Sequence, residues 1–477
     1  MRLSLIAAAV LGLAPSLASA NELLNVYQLA LANDTQLAAA GYARDAALEA
    51  RPQARAALLP LISGNYRYSR GRSEGSQSQV SGIEQLIDAN GDGVPDVDAD
   101  GNPLTEIVPF PIGRDFDTDD TDRSLTVSLN QPIFDWAAFL RYSQSADQLA
   151  LAQARFRSAE QDLMLRASRA YFDYLAANDD LRFTGAQKAS LERQLEQAKK
   201  RFEVGLSAVT DVQEAQASYD LVLANEIAAE QRLAAAREAL LEITGKRDAR
   251  LVPLQDEIPL PGPMPADVNA WLDTARDNNF DLAIARINAT LAGRDVSIAR
   301  AGHYPTVGLV GQYSDTDTVS DPRSSVIGGF QQDNVSNSVG VQVNVPIFNG
   351  FLVNSRTSQA KSIEQQREAE LEGSQRSVSR RTRDAYLAVQ SGSARVRALK
   401  QAVVSNQTAL QASETGLEVG TRTTVDVLNA QSLLYSAQRD YARARYDYLI
   451  AILTLKSASG RLTPDDLAEI DKLLVGA

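Results

Sequence analysis

Three stretches of the chain alternate apolar with polar residues, which is typical of strands that have one apolar face. A fourth, from about Thr306 to Tyr313, is less regular, because Val310 breaks the alternation. The clearest is the stretch in which Leu125, Val127 and Leu129 are separated by polar side chains. Runs of about ten such residues fit membrane-spanning strands, although half-buried strands of soluble proteins show the same pattern. The predicted strands cover about residues 60–70, 123–132, 304–314 and 335–346, with a loop over 71–122 between the first two.

Helical spacing dominates the rest of the chain. Between Leu191 and Phe202, apolar residues recur in steps of four, three and four, which is typical of a coiled coil. We predict a long helix over 133–203, which would measure about 100 Å at 1.5 Å per residue. The helices predicted at about 25–58 and 210–245 are each half as long. Stacked end to end, these two would match the long one.

The chain also repeats itself. RFEVG at 201–205 corresponds to GLEVG at 416–420, and TDVQEAQ and VDVLNAQ follow five residues later in the two halves. NQPIF and NVPIF, which begin at Asn130 and Asn344, precede the two long helices. Internal duplication of this kind indicates two structural repeats. The predicted organisation is a first repeat over 21–250, a Pro-rich linker over 251–268, a second repeat over 269–461 and a C-terminal segment over 462–477.

Residues 1–20 have the pattern of a signal peptide, with Arg2, an apolar run and a small-residue cleavage site ending at Ala20. After it, no window of about 20 apolar residues predicts a transmembrane helix. The net charge of −13 argues against nucleic acid as a partner. With one histidine, His303, and no cysteine, the usual metal and nucleophile sites are hard to build. We therefore expect no enzyme and no required cofactor, and a periplasmic, secreted or β-barrel protein.

Four strands cannot close a barrel, and open strand edges do not survive in lipid. If these strands span a membrane, several chains must share one barrel. Two chains would give eight strands with a filled interior, whereas three would give twelve strands and a pore.

The sequence resembles the TolC family of outer-membrane exit ducts over nearly its whole length. The most specific matches are RFEVGLSAVTDVQ at 201–213 and VGTRTTVDVL at 419–428, and YDLVLANE at 219–226 and ARYDYLI at 444–450 are also close. The resemblance implies a mixed α and β membrane protein in the outer membrane of a Gram-negative bacterium. A homotrimer would form a 12-stranded β-barrel, with four strands per chain, continued by a 12-helix periplasmic α-barrel. The linker and the C-terminal segment would form an equatorial belt.

The resemblance also implies a passive duct of tripartite efflux pumps and type I secretion systems, which conducts drugs, small molecules or proteins. Its partners would be outer-membrane lipid, a periplasmic adaptor and, through the adaptor, an inner-membrane RND, ABC or MFS pump. A calcium-dependent surface adhesin with a coiled-coil stalk is the alternative. It would explain the heptads and an acidic loop, but not the duplicated strand pairs or the two hairpin motifs.

Site residues follow from the same resemblance. Thr210, Asp211 and Arg422 match the family's periplasmic gate, and Leu417 stands where the family has a gate tyrosine. Asp426 matches a pore-facing acidic ring, while Asn429 replaces the second ring. A local alternative is helix capping, because Thr210 with Gln213 and Thr423 with Asp426 have capping-box spacing. The hairpin tips that would contact the adaptor are Val204, Gly205, Leu206, Val419, Gly420 and Thr421.

An acidic stretch, DANGDGVPDVDADG at 88–101, lies within the predicted loop. Its oxygen donors have the spacing of a calcium loop, but Ala99 and Ile107 occupy the positions of the bidentate glutamate of an EF-hand. Two interpretations stay open, a weak calcium site and a solvated acidic loop. The candidate ligands are Asp88, Asn90, Asp92, Asp96, Asp98 and Asp100.

Overall fold

The computed structural model describes residues 22–247, 251–322 and 329–474. The predicted signal peptide therefore lies outside the described residues. The chain divides into two compact units, each of which is assembled from separate stretches of sequence. Within the described ranges, the helical unit contains 22–51, 143–297 and 355–474, and the strand unit contains 52–142 and 298–354.

The strand unit is built on one antiparallel sheet with the strand order β1-β2-β3-β4. Each strand pairs with the next one along the chain, so β1 and β4 are the two edges. The strands are β1 (Leu61–Leu86), β2 (Thr105–Phe134), β3 (Thr306–Pro322) and β4 (Phe330–Asn344).

The predicted loop over 71–122 is wrong for most of its length. β1 and β2 stay paired from Leu61 opposite Asn130 to Leu86 opposite Thr105, so only 87–104 connects them. The middle of this ribbon, 71–79 of β1 and 113–122 of β2, is almost entirely polar, so it lacks the alternation that marks a strand. Backbone pairing and cross-strand contacts stabilise it instead. The guanidinium of Arg72, for example, donates two hydrogen bonds to the carboxylate of Asp117, at 2.9 and 2.8 Å.

One face of the sheet is apolar and exposed in the single chain. Leu125, Val127 and Leu129 share this face of β2, since alternate residues of a strand point to the same side. On β4, Val339, Val341 and Val343 are between 58% and 79% exposed. An apolar face of this size requires a partner or an apolar solvent.

The helical unit and its connections contain helices of very different length. The predicted first helix is broken, because Asp34 caps α2 and Glu49 ends it. None of the helices among the described residues combines the length and the apolar character needed to cross a bilayer. The helices are α1 (Glu22–Asn33), α2 (Thr35–Leu48), α3 (Ala50–Ala56), α4 (Trp136–Glu203), α5 (Val209–Thr244), α6 (Val268–Asn278), α7 (Phe280–Ala301), α8 (Leu352–Glu418), α9 (Thr424–Ala458) and α10 (Pro464–Asp471).

A large apolar cluster holds α1, α4, α9, α10 and the linker together. Aromatic side chains also fix the linker by hydrogen bonds. The hydroxyl of Tyr171 donates to the carbonyl of Val252 at 2.9 Å, and the indole N–H of Trp271 donates to the carbonyl of Pro265 at 2.9 Å. Asp471, fully buried in α10, accepts the first N–H groups of α1 at 2.8 and 2.9 Å. The two ends of the described chain, α1 and α10, thus pack against each other.

Candidate functional site: two helical hairpins and their supports

Each hairpin is supported where its returning helix meets a break between two short helices. In the first repeat, Gly245 follows α5 with φ 67° and lies against Asn33, so Asn33, Asp34 and Gly245 form the first joint. In the second repeat, Gly460 follows α9 with φ 74°. It lies against Asn278, and Asn278, Asn279 and Gly460 form the second joint. Each returning helix, α5 or α9, thus ends where α2 or α7 begins. This arrangement agrees with the end-to-end stacking that the helix lengths predict.

The first joint is ionic. The carboxylate of Asp34, which is 5% exposed, accepts two hydrogen bonds from Arg166 of α4, at 2.8 and 3.1 Å. It also accepts the N–H of Leu37 at 2.7 Å and so caps α2. The bonds from Arg166 hold the pKa of Asp34 below its ordinary value, although burial acts in the opposite direction.

The second joint is neutral, because Asn279 occupies the position that corresponds to Asp34. Its amide oxygen accepts the N–H of Leu282 at 3.1 Å, and its amide nitrogen donates to the carbonyl of Ala458 at 2.9 Å. Arg381 corresponds to Arg166 by the repeat offset, but it pairs with Asp281 at 3.0 Å in a largely exposed ion pair. Such exposed pairs contribute little to stability.

Both hairpins turn at a glycine in the left-handed region, Gly205 with φ 76° and Gly420 with φ 80°. The same backbone hydrogen bonds close each turn. The N–H of Leu206 donates to the carbonyl of Arg201 at 2.8 Å, and the N–H of Thr421 donates to the carbonyl of Gly416 at 2.8 Å. These are the closing bonds of a glycine-terminated helix. The tip side chains Val204, Leu206 and Val419 are 69–70% exposed.

The second hairpin has the capping box that the sequence predicts. The hydroxyl of Thr423 accepts the N–H of Asp426 at 3.2 Å, and the Asp426 carboxylate accepts the N–H of Thr423 at 2.9 Å. These bonds from Thr423, with the nearby charge of Arg422 4.0 Å away, hold the pKa of the Asp426 carboxyl below its ordinary value. The carboxylate is therefore fixed in its charged form at the start of α9.

The capping box predicted for Thr210 and Gln213 is wrong. Helix α5 begins after Ala208, which makes no side-chain capping bond, so Thr210 already lies inside the first turn. Ala208 corresponds to Thr423 by the repeat offset of the two hairpins. The hairpin geometry therefore fixes where the helix begins, whether or not a capping side chain is present. Asp211 is left in the first turn, where a carboxylate is favourable.

The predicted gate residues are only partly assembled in one chain. Arg422 and Asp426 lie together at the second tip. Leu417 packs against a buried cluster that includes Val427, so the position of the family's tyrosine is filled by apolar core. Asn429 is exposed three residues after Asp426. Within the part of the chain that the structure describes, no hydrogen bond or ion pair joins Asp211 to Arg422.

A line of contacts between α4 and α9 was not predicted from the sequence patterns. The hydroxyl of Tyr446 donates to Asp179 at 2.7 Å, Arg439 donates to the side chain of Gln187 at 3.1 Å, and the hydroxyl of Tyr435 donates to the carbonyl of Ala186 at 3.3 Å. Heptad-like spacing on α9 is the signal that could have revealed it. The α4–α9 seam consists, on α9, of Leu428, Gln431, Tyr435, Arg439, Ala442 and Tyr446.

Acidic side chains of the loop at 88–101 accept hydrogen bonds from backbone N–H groups of the same connection. The two carboxylate oxygens of Asp88 accept the N–H groups of Gly91 and Gly93, and one oxygen of Asp98 accepts the N–H of Asn102, at 2.8–2.9 Å. Over the described ranges, no group of three His, Cys, Asp or Glu side chains has the arrangement of a metal site. Calcium binding by this loop stays a prediction. The further Asn90, Asp92, Asp96 and Asp100 belong to the same connection.

Known proteins match the chain over nearly its full length. The outer membrane protein TolC of Vibrio cholerae is 33% identical over 98% of this chain and 97% of its own. The alkaline protease secretion protein AprF of Pseudomonas aeruginosa is 33% identical over 93% of this chain and 85% of its own. The crystal structure of the CmeC outer membrane channel of Campylobacter jejuni has the same fold, with a TM-score of 0.71 at 16% identity, covering 95% and 90% of the two chains.

A family model described as outer membrane efflux protein matches residues 26–246 and 271–461. The match favours a transport channel over the adhesin, and it is to a family of channels rather than enzymes. The predicted resemblance, the transport function and the outer-membrane localisation are thereby confirmed. The chain therefore belongs to the outer membrane efflux protein family.

Proposed function

We propose that three copies of this chain form one closed duct that passively conducts drugs, small molecules or proteins across the outer membrane. The observation that carries the proposal is that the sheet of a single chain is open and has an exposed apolar face. The sheet has four strands and two free edges, β1 and β4. Its exposed apolar face suits lipid, but open strand edges do not persist in a bilayer. Pairing of β1 with a neighbour's β4 removes both edges.

The helical unit supports the same assembly. Within the chain, the face of α9 that carries the α4–α9 seam is covered by α4. Among the described residues, the corresponding face of α5 is largely exposed instead, and so are the residues of α8 that correspond to Asp179, Asp180 and Ala186. A neighbour's α8 on this face of α5 would repeat the α4–α9 arrangement around a ring. The face of α5 carries Gln213, Gln216, Asp220, Ala224, Ile227 and Gln231, and that of α8 carries Ala394, Arg395 and Gln401.

Three copies give twelve strands and six long helices. Each returning helix with the short helix stacked on it supplies one further column, so there are twelve helical columns in all, enough for an aqueous pore. In such a ring, Thr210 and Asp211 of one chain would meet Arg422 of the next, which supplies the gate contact absent from the single chain. A guanidinium suits this role, because its planar donors match a carboxylate. Leu417 stands in place of the family's tyrosine and cannot hydrogen-bond. The closed gate would therefore rest mainly on the ionic contact between Asp211 and Arg422.

Asp426 would form the single acidic ring of the pore, with the neutral Asn429 beside it. The capping bonds lower the pKa of each carboxyl, whereas repulsion among three carboxylates would raise it. The ring would attract cations from the periplasmic side.

The partners follow from the family and its relatives. A periplasmic adaptor would contact the exposed tips at Val204 and Val419, and an inner-membrane RND, ABC or MFS pump would act through the adaptor. The relative AprF, named as a protease secretion protein, supports export of proteins. The pump would supply the energy.

Planar-bilayer recording tests the proposal. The purified protein should conduct ions, and a trivalent cation added on the periplasmic side should block it. Asp426→Asn should remove most of this block, because the ring loses its charge. Glu238→Gln, which neutralises an exposed carboxylate at the far end of α5, serves as the control and should leave the block unchanged. Native mass spectrometry should give a trimer. A monomer that carries no current would refute the duct, and an unchanged block in Asp426→Asn would refute the ring.

A further inference from the structure

The α4–α9 seam changes character along its length. Away from the tips, it consists of side chains that hydrogen-bond to α4, namely Tyr446, Arg439 and Tyr435. Towards the tips, it becomes apolar, and Leu428 packs in a cluster with Leu191 and Leu195 of α4. The helix is therefore fixed by specific bonds on one side of a boundary and by adaptable apolar packing on the other.

Gln431 lies at that boundary. It is three residues after Leu428 and four before Tyr435, so it shares their face of α9. Its side chain is 1% exposed, and its amide oxygen is shielded from solvent and has no hydrogen-bond partner among the described residues. Buried amide oxygens are nearly always paired, so an unpaired one requires a reason.

A second buried oxygen of the seam, at the level of Arg439, is also imperfectly satisfied. Oδ2 of Asp180 on α4 lies 2.7 Å from Nη1 of Arg232 on α5, but without the alignment of a hydrogen bond. Its other oxygen lies 3.7 Å from Nε of Arg439 on α9. Asp180 thus connects three helices, and none of its contacts is optimal.

We propose that Gln431 is a positioning residue of the gate. Its unpaired amide marks the level at which the second hairpin pivots against α4, with Tyr435 above it as the last fixed point. The seam is intact when the gate is closed, and opening loosens its lower part and frees the amide of Gln431. The unpaired oxygen therefore weakens the closed arrangement and keeps the gate easy to open. This inference rests on the proposed function, because it concerns the movement of the proposed gate.

Single-channel recording of the full-length protein tests the inference. Gln431→Met keeps the length of the side chain but removes the polar atoms, so it should tighten the seam. We expect the ratio of open to closed time to fall about tenfold, which corresponds to about 1.4 kcal/mol, within the range of cost for an unpaired buried group. Gln431→Leu should act in the same direction.

The control is Gln365→Met, the same chemical change on α8 far from the hairpins. Gln365 is exposed, and it belongs neither to the α4–α9 seam nor to the faces proposed to meet between chains. No fall in the open-to-closed ratio is expected for this variant. Tyr435→Phe gives a change of opposite sign, because it removes the bond to Ala186 and should raise the ratio severalfold. General damage to the fold would not move the two seam variants in opposite directions.

An unchanged or raised ratio in both Gln431→Met and Gln431→Leu would overturn the inference. If the wild-type protein conducts and Asp426→Asn abolishes the cation block, an unchanged or raised ratio refutes the pivot alone, and the proposed duct is still supported. If the wild-type protein carries no current, the proposed function itself fails.

Discussion

The two repeats form the same backbone arrangement, a hairpin and a joint, with different side chains. Both have a left-handed glycine at the hairpin and another at the joint, at positions that correspond throughout. In the first repeat the charged contact is at the joint, where Arg166 binds the buried Asp34. In the second repeat it is at the tip, where Asp426 closes a capping box with Thr423. The first hairpin is thus fixed at its base, and the second has the better-defined end.

This difference assigns separate mechanical tasks to the hairpins. An ionic joint resists sliding, because displacing Arg166 would leave the buried carboxylate of Asp34 unpaired. The neutral joint at Asn279 has no such penalty, so the second hairpin is the less constrained of the two, while its tip stays ordered. The proposed pivot at Gln431 belongs to that second hairpin. The duplicated fold therefore provides one static and one movable element from a single plan.

The largest expected effect comes from adding a methyl group at the second joint. A Cβ at Gly460 would lie 2.2 Å from the carbonyl oxygen of Asn278, which is backbone and cannot move aside. The left-handed conformation alone costs about 1–2 kcal/mol for a non-glycine residue, and overpacking adds about 1–3 kcal/mol. Gly460→Ala should thus lower the free energy of unfolding by about 3 kcal/mol, measured by circular dichroism at 222 nm during thermal unfolding in detergent.

Gly245→Ala provides the comparison at the first joint. Its Cβ would lie 3.0 Å from Cβ of Asn33, which requires a shift of a few tenths of an ångström but no displaced carbonyl. This variant has the conformational cost but little of the clash, so it should be less destabilised than Gly460→Ala. Equal losses would mean that the two joints are packed alike, contrary to the structure.

The second effect concerns the charge at the first joint. Asp34→Asn copies the residue of the second joint, and it keeps an oxygen that can cap α2. The ion pair with Arg166 is lost, which should lower the free energy of unfolding by about 2 kcal/mol at neutral pH. Asp281→Asn removes the equivalent exposed pair with Arg381 and should cost less than about 0.5 kcal/mol. A comparable loss in both variants would remove the distinction between the joints.

The pH dependence gives this prediction a definite sign. The pKa of Asp34 is lowered in the folded protein by Arg166. Its contribution to stability is therefore complete above the unfolded pKa of about 4, and it is lost as the pH falls through the lower folded pKa. The difference between the wild type and Asp34→Asn should shrink as the pH falls below about 4. A difference that persists there would show that the amide disturbs packing instead.

The sequence reveals those parts of the fold that repeat or alternate. The apolar strand faces, the long helices, both hairpin glycines and the Thr423 capping box follow from local patterns. The outer half of the β1–β2 ribbon does not, because 71–79 and 113–122 are almost entirely polar and give no alternation that distinguishes a strand from a loop.

Contacts between residues far apart in the sequence cannot be predicted from local patterns, for a different reason. Asp34 and Arg166 are 132 positions apart, and their pairing depends on where α5 ends and α1 breaks. Gln431 is a similar case, since a glutamine at a heptad position gives no hint that its oxygen is unpaired. The gate contact between Asp211 and Arg422 stays a prediction from the resemblance, because a single chain leaves the two residues in separate hairpins.

The smallest effect tests the tips themselves. Thr423→Ala should cost about 1 kcal/mol of local stability and should speed amide exchange in the first turn of α9 about fivefold. Ala208→Thr makes the reciprocal change, because Asp211 stands at the third helical position of α5, as Asp426 does in α9. It should slow exchange in the first turn of α5 by up to the same factor. The exchange rates are read by mass spectrometry of peptides from each tip.

Exchange near the joints, at Gly245 and Gly460, is the internal control and should not change in either variant. Faster exchange at the first tip in Ala208→Thr would show that the hairpin does not let a threonine at 208 reach the N–H of Asp211. The missing cap would then be a requirement of that hairpin, and the two tips would differ in backbone as well as in side chains. Slower exchange would mean that the backbones are equivalent, and that only the second tip carries the side chain that fixes its carboxylate in place.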